Sequence, residues 1–321
     1  MKKTFITGAS GFLGHNLVQE MIKQGYFVKA LTRDLENYRG TSHANLQLIQ
    51  GDALKIQYSL LSDCDVVFHL VGETTPNLPY SSYNVTNVES SLILLNAALE
   101  NGVKRFVFVS TANTIGYANN QVLGSEEMPI RYPYDQSSYA LSKLKAEELL
   151  LEYKDKIDIL IANPTFMIGA FDYKPTSNRI IKDALFRKII FYPPGGKNFV
   201  PVKDVVIGLI SMIERGKNGE KYILAGENLS FRDFYLKFAR QANTKPTLIK
   251  IPKLLMKLLG WIGDLLLKMR VKTALSTLNM EILCLNNFYT NDKSQRVLKL
   301  RYRPIEEAIL DSIDFFQNEK Q

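Results

Sequence analysis

Through the first half of the chain, short apolar runs alternate with longer amphipathic stretches. The runs KTFITG (3–8), FVKALT (27–32), LQLIQGD (46–52), DVVFHLVG (65–72), RFVFVST (105–111) and IDILIANP (157–164) are rich in β-branched and aromatic residues, and most end at Gly, Asp, Ser/Thr or Pro. Continuous apolar runs bounded by turn residues suit strands buried on both faces. Between them, 12–25, 84–101 and 136–155 carry helical spacing, the last two closing at Asn101-Gly102 and near Lys154-Asp155. Repeated strand-helix-strand units predict an α/β fold, a Rossmann-type doubly wound parallel sheet whose ligands bind at the carboxyl ends of the strands.

After Pro164 the alternation loosens. Residues 170–200 are rich in Pro, Gly and aromatics, VKDVVIGLISMIERG (202–216) reads as a helix, and GEKYILAG (219–226) reads as a strand returning to the sheet. From about residue 228 the pattern is mainly helical. The expected organisation is a dinucleotide-binding Rossmann domain over 1–169 and 198–227 with a smaller, mainly helical substrate cap over 170–197 and 228–321. No flexible linker separates them.

Composition narrows the class without naming a function. The 321 residues are 46% hydrophobic and 22% charged, ordinary for a globular protein, and hold no low-complexity tract or solenoid repeat. Cys64 and Cys284 stand far apart with no Cys-x-x-Cys around them, which points to a reducing compartment. MKKTFITG reaches a glycine turn after too few apolar residues for a secretory signal, so a cytoplasmic location is expected. Of the +8 net charge, +7 falls in residues 231–321, where 16 Lys and Arg face 9 Asp and Glu. A dispersed solvated face is the ordinary reading, and without a nucleic-acid motif no nucleic-acid partner is expected. His15, His43 and His69 lack metal-ligand spacing, so no metal is expected.

Candidate chemistry begins at TFITGASGFLG (4–14). Gly8 permits a tight turn, Gly11 leaves room for a pyrophosphate, and Gly14 lets helix pack on strand, while amides around Ser10, Gly11, Phe12 and Leu13 meet phosphates at a helix N-terminus. The glycines alone are a weak signal that a structural turn also explains; their place after the first strand of a βαβ unit strengthens it. At the end of strand 2 the chain reads ALTRD, with Thr32 at the ribose position, Arg33 next, and no acid before Asp34. Arginine suits a 2′-phosphate, which favours NADP; read as a solvated loop charge, Arg33 leaves NAD open. Asp52 can reach an adenine edge, and a helix N-cap explains it nearly as well.

In SSYALSKLKAEELL (137–150), Tyr139 and Lys143 lie four apart on one helix face. A phenol with a pKa of about 10 is a poor base at neutral pH, and a nearby ammonium favours its phenolate; Lys143 can also reach ribose hydroxyls. Such a pair is common by chance on surface helices and gains meaning from its company. That company is the strand end Ser110-Thr111, whose hydroxyl can hold a substrate oxygen toward Tyr139, although such a pair also caps turns.

Together TGASGFLG, VFHLVG, NVESSLILLNAALENGVKRFVFVST, YALSK, NPTFMIG and FVPVKDV resemble the extended short-chain dehydrogenase/reductase family, also labelled NAD-dependent epimerase/dehydratase. The LTRD, KYILAGENLSFRDF and following Leu-rich segments look most like its dihydroflavonol reductase-like branch, whose members reduce carbonyls with NADPH. The resemblance implies Tyr139 as general acid/base, Lys143 as the residue lowering its pKa and binding ribose, and Thr111 as the hydroxyl polarising the carbonyl. It also implies cofactor contacts at Ala53, Leu70 and Val71, Pro164 and Thr165 beside the nicotinamide, and a homodimer formed through helices 84–101 and 136–155. Departures are Val71-Gly72 where members often have small residues, and Asn163 where Arg often precedes the proline. Ala112 and Asn113 follow Thr111 where sugar dehydratases of the family carry Asp-Glu, which leaves dehydration without its acid and base. Nucleotide-sugar epimerisation with tightly bound NAD stays as the alternative. A dinucleotide-binding sensor is a third reading, weakened because both Tyr139 and Lys143 are kept.

One further segment, IPKLLMKLLGWIGDLLLKMR (251–270), pairs an apolar face of Leu254, Leu255, Leu258, Trp261, Ile262, Leu265 and Leu266 with Lys253, Lys257, Asp264 and Lys268. Charges interrupt it short of the ~18 apolar residues of a membrane span, so no transmembrane segment is expected. Such a face can lie on a membrane surface; packing over the substrate cleft is the commoner reason and is the expectation here. With Phe171, Tyr173, Phe191 and Tyr192, Trp261 is expected to shape the cap around an apolar small-molecule substrate.

Overall fold

Each of the six apolar runs forms a strand in the computed structural model, which describes residues 2–36, 38–118 and 122–319. They are β1 (Lys3–Thr7), β2 (Phe27–Thr32), β3 (Leu46–Gln50), β4 (Val66–His69), β5 (Arg105–Val109) and β6 (Asp158–Pro164). Between β6 and the later β10 come β7 (Phe166–Ile168), β8 (Ile189–Tyr192) and β9 (Gly196–Pro201), which lie outside the main sheet. β10 (Lys221–Leu224), in the segment expected to return, closes a seven-stranded parallel sheet of order β10-β6-β5-β4-β1-β2-β3. The order reverses between β1 and β4, which opens a crevice at the carboxyl ends of those strands.

Central strands are apolar throughout because helices cover both faces. α1 (Phe12–Lys23) and, later in the chain, the helix over Val202–Arg215 pack on one face through Leu17, Met21, Val205 and Leu209. On the other lies the long expected helix 84–101, which starts early as α2 (Tyr80–Tyr83), widens into a π turn over Asn84–Glu89 and continues as α3 (Ser90–Glu100). Beside α3 runs α4 (Ser138–Leu151), N-capped by the Ser137 hydroxyl, which accepts from the Ala140 amide.

The later helices are α5 (Arg179–Ala184), α6 (the Val202–Arg215 helix), α7 (Phe231–Gln241), α8 (Lys253–Lys268), α9 (Thr277–Leu283), α10 (Asp292–Leu298) and α11 (Ile305–Asn318). Small sheets interleave them. β9 pairs with β7, with β11 (Glu227–Ser230) and with β13 (Asn286–Asn287), while β8 pairs with β12 (Thr247–Lys250). This lobe has its own core, in which Phe199 stacks on Phe234 at 4.2 Å between ring centres and α11 contributes Ile309, Ile313 and Phe316.

α8 departs from the expected packing. Its inner side is Met256, Gly260 and Gly263, and its leucine-tryptophan face points to solvent. The glycines explain the reversal. A Cβ on Gly263 would stand 1.9 Å from the Leu275 carbonyl oxygen and one on Gly260 2.8 Å from Thr277 Cα, so the helix backbone rests directly on 275–277. Asp264 fixes the contact by accepting from the Thr277 amide at 3.1 Å and hydroxyl at 2.6 Å. No helix among the described residues is long and apolar enough to cross a membrane.

Candidate active site

The glycine turn is built as its spacing requires. Gly8 has φ +74°, and its carbonyl accepts from the Gly11 amide at 3.0 Å. A Cβ on Gly14 would lie 2.1 Å from that same carbonyl oxygen, so α1 can press against β1 only with glycine there. Gly11 is the N-cap of α1, which leaves the amides of the first turn without intrahelical acceptors. Leu13 is buried and Phe12 packs on the sheet core, so these two offer backbone and not side chain to a ligand.

This turn forms one end of a groove of about 330 Å³. Gly8, Ser10, Gly11, Thr32, Arg33, Asp52, Ala53, Leu70 and Val71 all line it. The Thr32 hydroxyl donates to the Asp34 carbonyl at 2.9 Å and is paired with the Ser10 hydroxyl at 3.3 Å. The Asp52 side chain accepts from the Leu54 amide at 3.0 Å, which is the capping role that competed with adenine binding for this residue. Glu73 and Lys174 line the groove too and were not expected there; Lys174 arrives from the loop after β7. A crevice walled by glycines, opened at a helix N-terminus and carrying two cations fits a phosphate-bearing dinucleotide.

At the carboxyl ends of β5 and β6 the reactive groups converge. Tyr139, Thr111, Pro164 and Thr165 line one cavity of about 310 Å³. Burial pushes the Tyr139 phenol up to about 12, and the neighbouring Thr111 hydroxyl opposes that rise. Lys143, one turn on, is buried with its Nζ 4.2 Å from the centre of the Phe108 ring and 3.6 Å from the Cβ position of Gly72, a residue of the dinucleotide groove. Burial brings its ammonium down to about 7, against an opposing pull from Glu147. Burial favours the neutral form of each group, and the neighbours that oppose it are Thr111 for the phenol and Glu147 for the ammonium.

Beneath them lies a network the sequence did not announce. Glu147 is fully buried; its Oε1 accepts from Ser110 Oγ, from Thr114 Oγ1 at 2.8 Å and from Asn163 Nδ2 at 2.9 Å, and its Oε2 accepts from Lys221 Nζ at 2.5 Å. Asn163 also donates to the Thr111 carbonyl at 3.0 Å. The residue that departs from the family's arginine thus ties the strand end carrying Thr111 to the helix carrying Tyr139. Position 147 follows 139 and 143 at the same four-residue step, which was the available signal. His69 is held by Thr7 Oγ1 at 2.8 Å and Ser90 Oγ at 3.3 Å, the arrangement of a satisfied core histidine.

A larger cavity of about 570 Å³ shares Tyr139, Asn113, Phe166 and Lys197 with the first and extends to α9. Leu275, Leu278, Met280, Ile282 and Leu283, in and just before α9, give it an apolar lining, with Asn279 of the same helix, Asn77 and Gln136 as polar points. Phe171, Tyr173, Phe191, Tyr192 and Trp261 line neither cavity, contrary to expectation. Phe171 and Tyr173 pack on His15 and Phe315, while Phe191 and Trp261 are exposed. The apolar wall comes instead from the stretch following α8. Lys197, from β9, was also missed; burial lowers its ammonium to about 8, and it stands 5.1 Å from the centre of the Phe166 ring.

Residues 4–225 match the family model described as NAD dependent epimerase/dehydratase family. A 4-hydroxy-2-methyl-3-oxo-4-farnesyl-3,4-dihydroquinoline-1-oxide ketoreductase of Stigmatella aurantiaca is 28% identical over 324 residues, covering 97% of this chain and 95% of that one. Dihydroflavonol 4-reductase of Solanum lycopersicum is 30% identical over 194 residues, 52% of this chain and 50% of its own. The crystal structure of gox2253 superposes with a TM-score of 0.85 at 27% identity, covering 99% of both chains.

Proposed function

This chain belongs to the NAD dependent epimerase/dehydratase family, whose enzymes work on CH–OH and C=O groups with a nicotinamide dinucleotide, and from that premise we propose that it is an NADPH-dependent reductase of a ketone or aldehyde on a largely apolar small molecule. The observation that carries the reading is the half-buried Tyr139, which lines both cavities and shares one of them with Thr111, Pro164 and Thr165.

When bound, the dinucleotide supplies the hydride that turns the carbonyl carbon into a carbinol and leaves as the oxidised cofactor. Tyr139 gives its phenolic proton to the substrate oxygen, so that one hydride and one proton account for the added hydrogens. A phenol held at about 12 stays protonated across the neutral range and is suited to donate. Thr111 orients that oxygen beside the phenol. Lys143, between Tyr139 and the groove, is the residue to meet ribose hydroxyls. Arg33 and Lys174 are the groups that would pair with a 2′-phosphate, which supports NADPH over NADH. The leucine and methionine wall supports an apolar substrate, as does the farnesylated quinoline named for the Stigmatella relative.

The test follows NADPH and NADH consumption against a panel of apolar and sugar-linked carbonyls. The expected result is NADPH-selective turnover that falls at least about 100-fold in Tyr139→Phe, with Arg33→Ala raising KM for NADPH and leaving that for NADH. Full turnover in Tyr139→Phe would overturn the assignment. A purified protein that retains NAD and consumes none would support the alternative, a nucleotide-sugar epimerase, for whose diphosphate Lys197 is the one charged side chain lining the larger cavity among the described residues.

A further inference from the structure

The outward face of α8 has no counterpart in the chemistry above. Leu254 is 80% exposed, Trp261 63% and Leu258 50%, with Leu265 and Ile262 beside them. At about 100° per residue these side chains fill an arc of roughly 100°, and Lys253, Lys257 and Lys268 all fall along the one edge next to Trp261. Among the described residues these side chains stay exposed, because Gly260 and Gly263 rest the opposite side of the helix on 275–277 and Asp264, on its flank, bonds Thr277.

A second exposed apolar group lies on the strands that precede α8 in the chain. Ile249 of β12, its registered neighbour Phe191 on β8, and Ile189 two residues before Phe191 are exposed, as are Lys188 and Lys250 next to them in sequence. β12 ends two residues before α8 begins. The +7 of net charge in residues 231–321 is therefore gathered in part around an apolar surface.

From this arrangement we infer that the chain docks on the surface of an anionic phospholipid bilayer through α8, its leucines and Trp261 entering the headgroup-acyl boundary and its lysines reaching the lipid phosphates. A helix with a broad apolar arc, a tryptophan at the border and lysines along the rim suits an interface whose core is apolar and whose edge is negative. A second copy of this chain suits it poorly. The apolar arc itself carries no carboxylate: Asp264, the one acid in α8, accepts from Thr277, and Glu281 of α9 lies beyond the lysine edge, beside Lys253 and Lys257; an antiparallel twofold contact would bring the lysine edges together. Docking places a membrane one helix away from the substrate cavity, because α8 packs on α9 and Met280 of α9 lines that cavity.

Trp261 is the only tryptophan in the chain, so its fluorescence reports the face directly. The experiment mixes the full-length protein with vesicles of phosphatidylcholine alone, or with one-third phosphatidylglycerol, and reads flotation, Trp261 emission and quenching by brominated acyl chains. On the anionic vesicles the emission should shift to the blue, bromine should quench it, and the protein should float; phosphatidylcholine alone should bind far less. Replacing Lys253, Lys257 and Lys268 by Gln should weaken partitioning on the order of 100-fold, at about 1 kcal/mol for each lysine near an anionic surface. Leu258→Glu with Leu265→Glu should abolish binding and leave dinucleotide affinity intact, since both side chains are exposed. Absence of quenching on either vesicle would overturn the proposal, as would a blue shift that grows with protein concentration without lipid, which would assign the face to self-association.

Discussion

Replacing Glu147 by Gln keeps the shape of the buried carboxyl and removes its charge, a change whose cost follows from the bonds it makes. Three side-chain donors converge on Oε1, from Ser110, Thr114 and Asn163, and the Lys221 ammonium reaches Oε2. An amide turned toward Lys221 sets donor against donor, and one turned the other way faces Asn163 Nδ2. One charge-assisted bond is lost in either orientation, worth about 1.5–3 kcal/mol. Breaking a buried ion pair from one side costs about 3–5 kcal/mol, that bond included; the Lys221 side chain is 25% exposed, which places the cost at the lower end, about 3 kcal/mol. Against a total stability of about 5–15 kcal/mol this is a large fraction. Urea unfolding of wild type, Glu147→Gln, Lys221→Met and the Glu147→Leu/Lys221→Met double variant measures it. The double variant should regain most of what Glu147→Gln loses, because no charge is left unpaired. Asn163 also holds the Thr111 carbonyl, so Glu147→Gln should lower kcat by about 10- to 100-fold through Thr111 and Tyr139. A loss below about 1 kcal/mol, the range of an exposed pair, would refute the reasoning.

Other expectations follow from single positions. Gly14→Ala forces a Cβ to within 2.1 Å of the Gly8 carbonyl oxygen and should cost about 3 kcal/mol together with dinucleotide affinity, whereas Gly102→Ala, at φ +63° with open space around it, should cost only about 1 kcal/mol; thermal unfolding and cofactor titration compare them. Lys143 is brought by burial to about 7, and an anionic dinucleotide favours its charged form, so affinity should fall as pH rises through 7, by at most about tenfold per unit, and Lys143→Met should flatten the profile between pH 6 and 9 in calorimetry. Tyr139 at about 12 adds no basic limb of its own in that window, so kcat at saturating NADPH should stay level where cofactor affinity falls, which a pH-rate profile checks.

Most of the sheet and its phosphate-binding turn were legible because each depends on local signals. The apolar runs marked the strands, although β3, read as buried on both faces, is a half-exposed edge strand; of the three glycines Gly8 answers a positive φ and Gly14 a contact that no Cβ could make. Glu147 shares a helix face with Tyr139 and Lys143, but its role was not legible. In KAEELL it and Glu148 look alike, and only the tertiary position of β10, which brings Lys221 across from 74 residues away, makes one of them a buried hub and the other a surface charge. α8 misled for a related reason. Periodicity shows which residues share a face, but which face turns inward was decided by Gly260 and Gly263, where backbone contact with 275–277 outweighed burial of leucine. The aromatics placed around the substrate failed likewise, because the chain after α8, and not the aromatic loops, closes the cavity.

The central claim is that this chain delivers a hydride to a carbonyl carbon while Tyr139 protonates the oxygen. The most direct measurement is product analysis after turnover of an apolar ketone with NADPH deuterated at the transferable C4 position. One deuterium on the new carbinol carbon for each NADPH oxidised, with Tyr139→Phe binding the cofactor normally and forming no carbinol, is the expected result. A product without deuterium, or equal yield from Tyr139→Phe, would contradict the account.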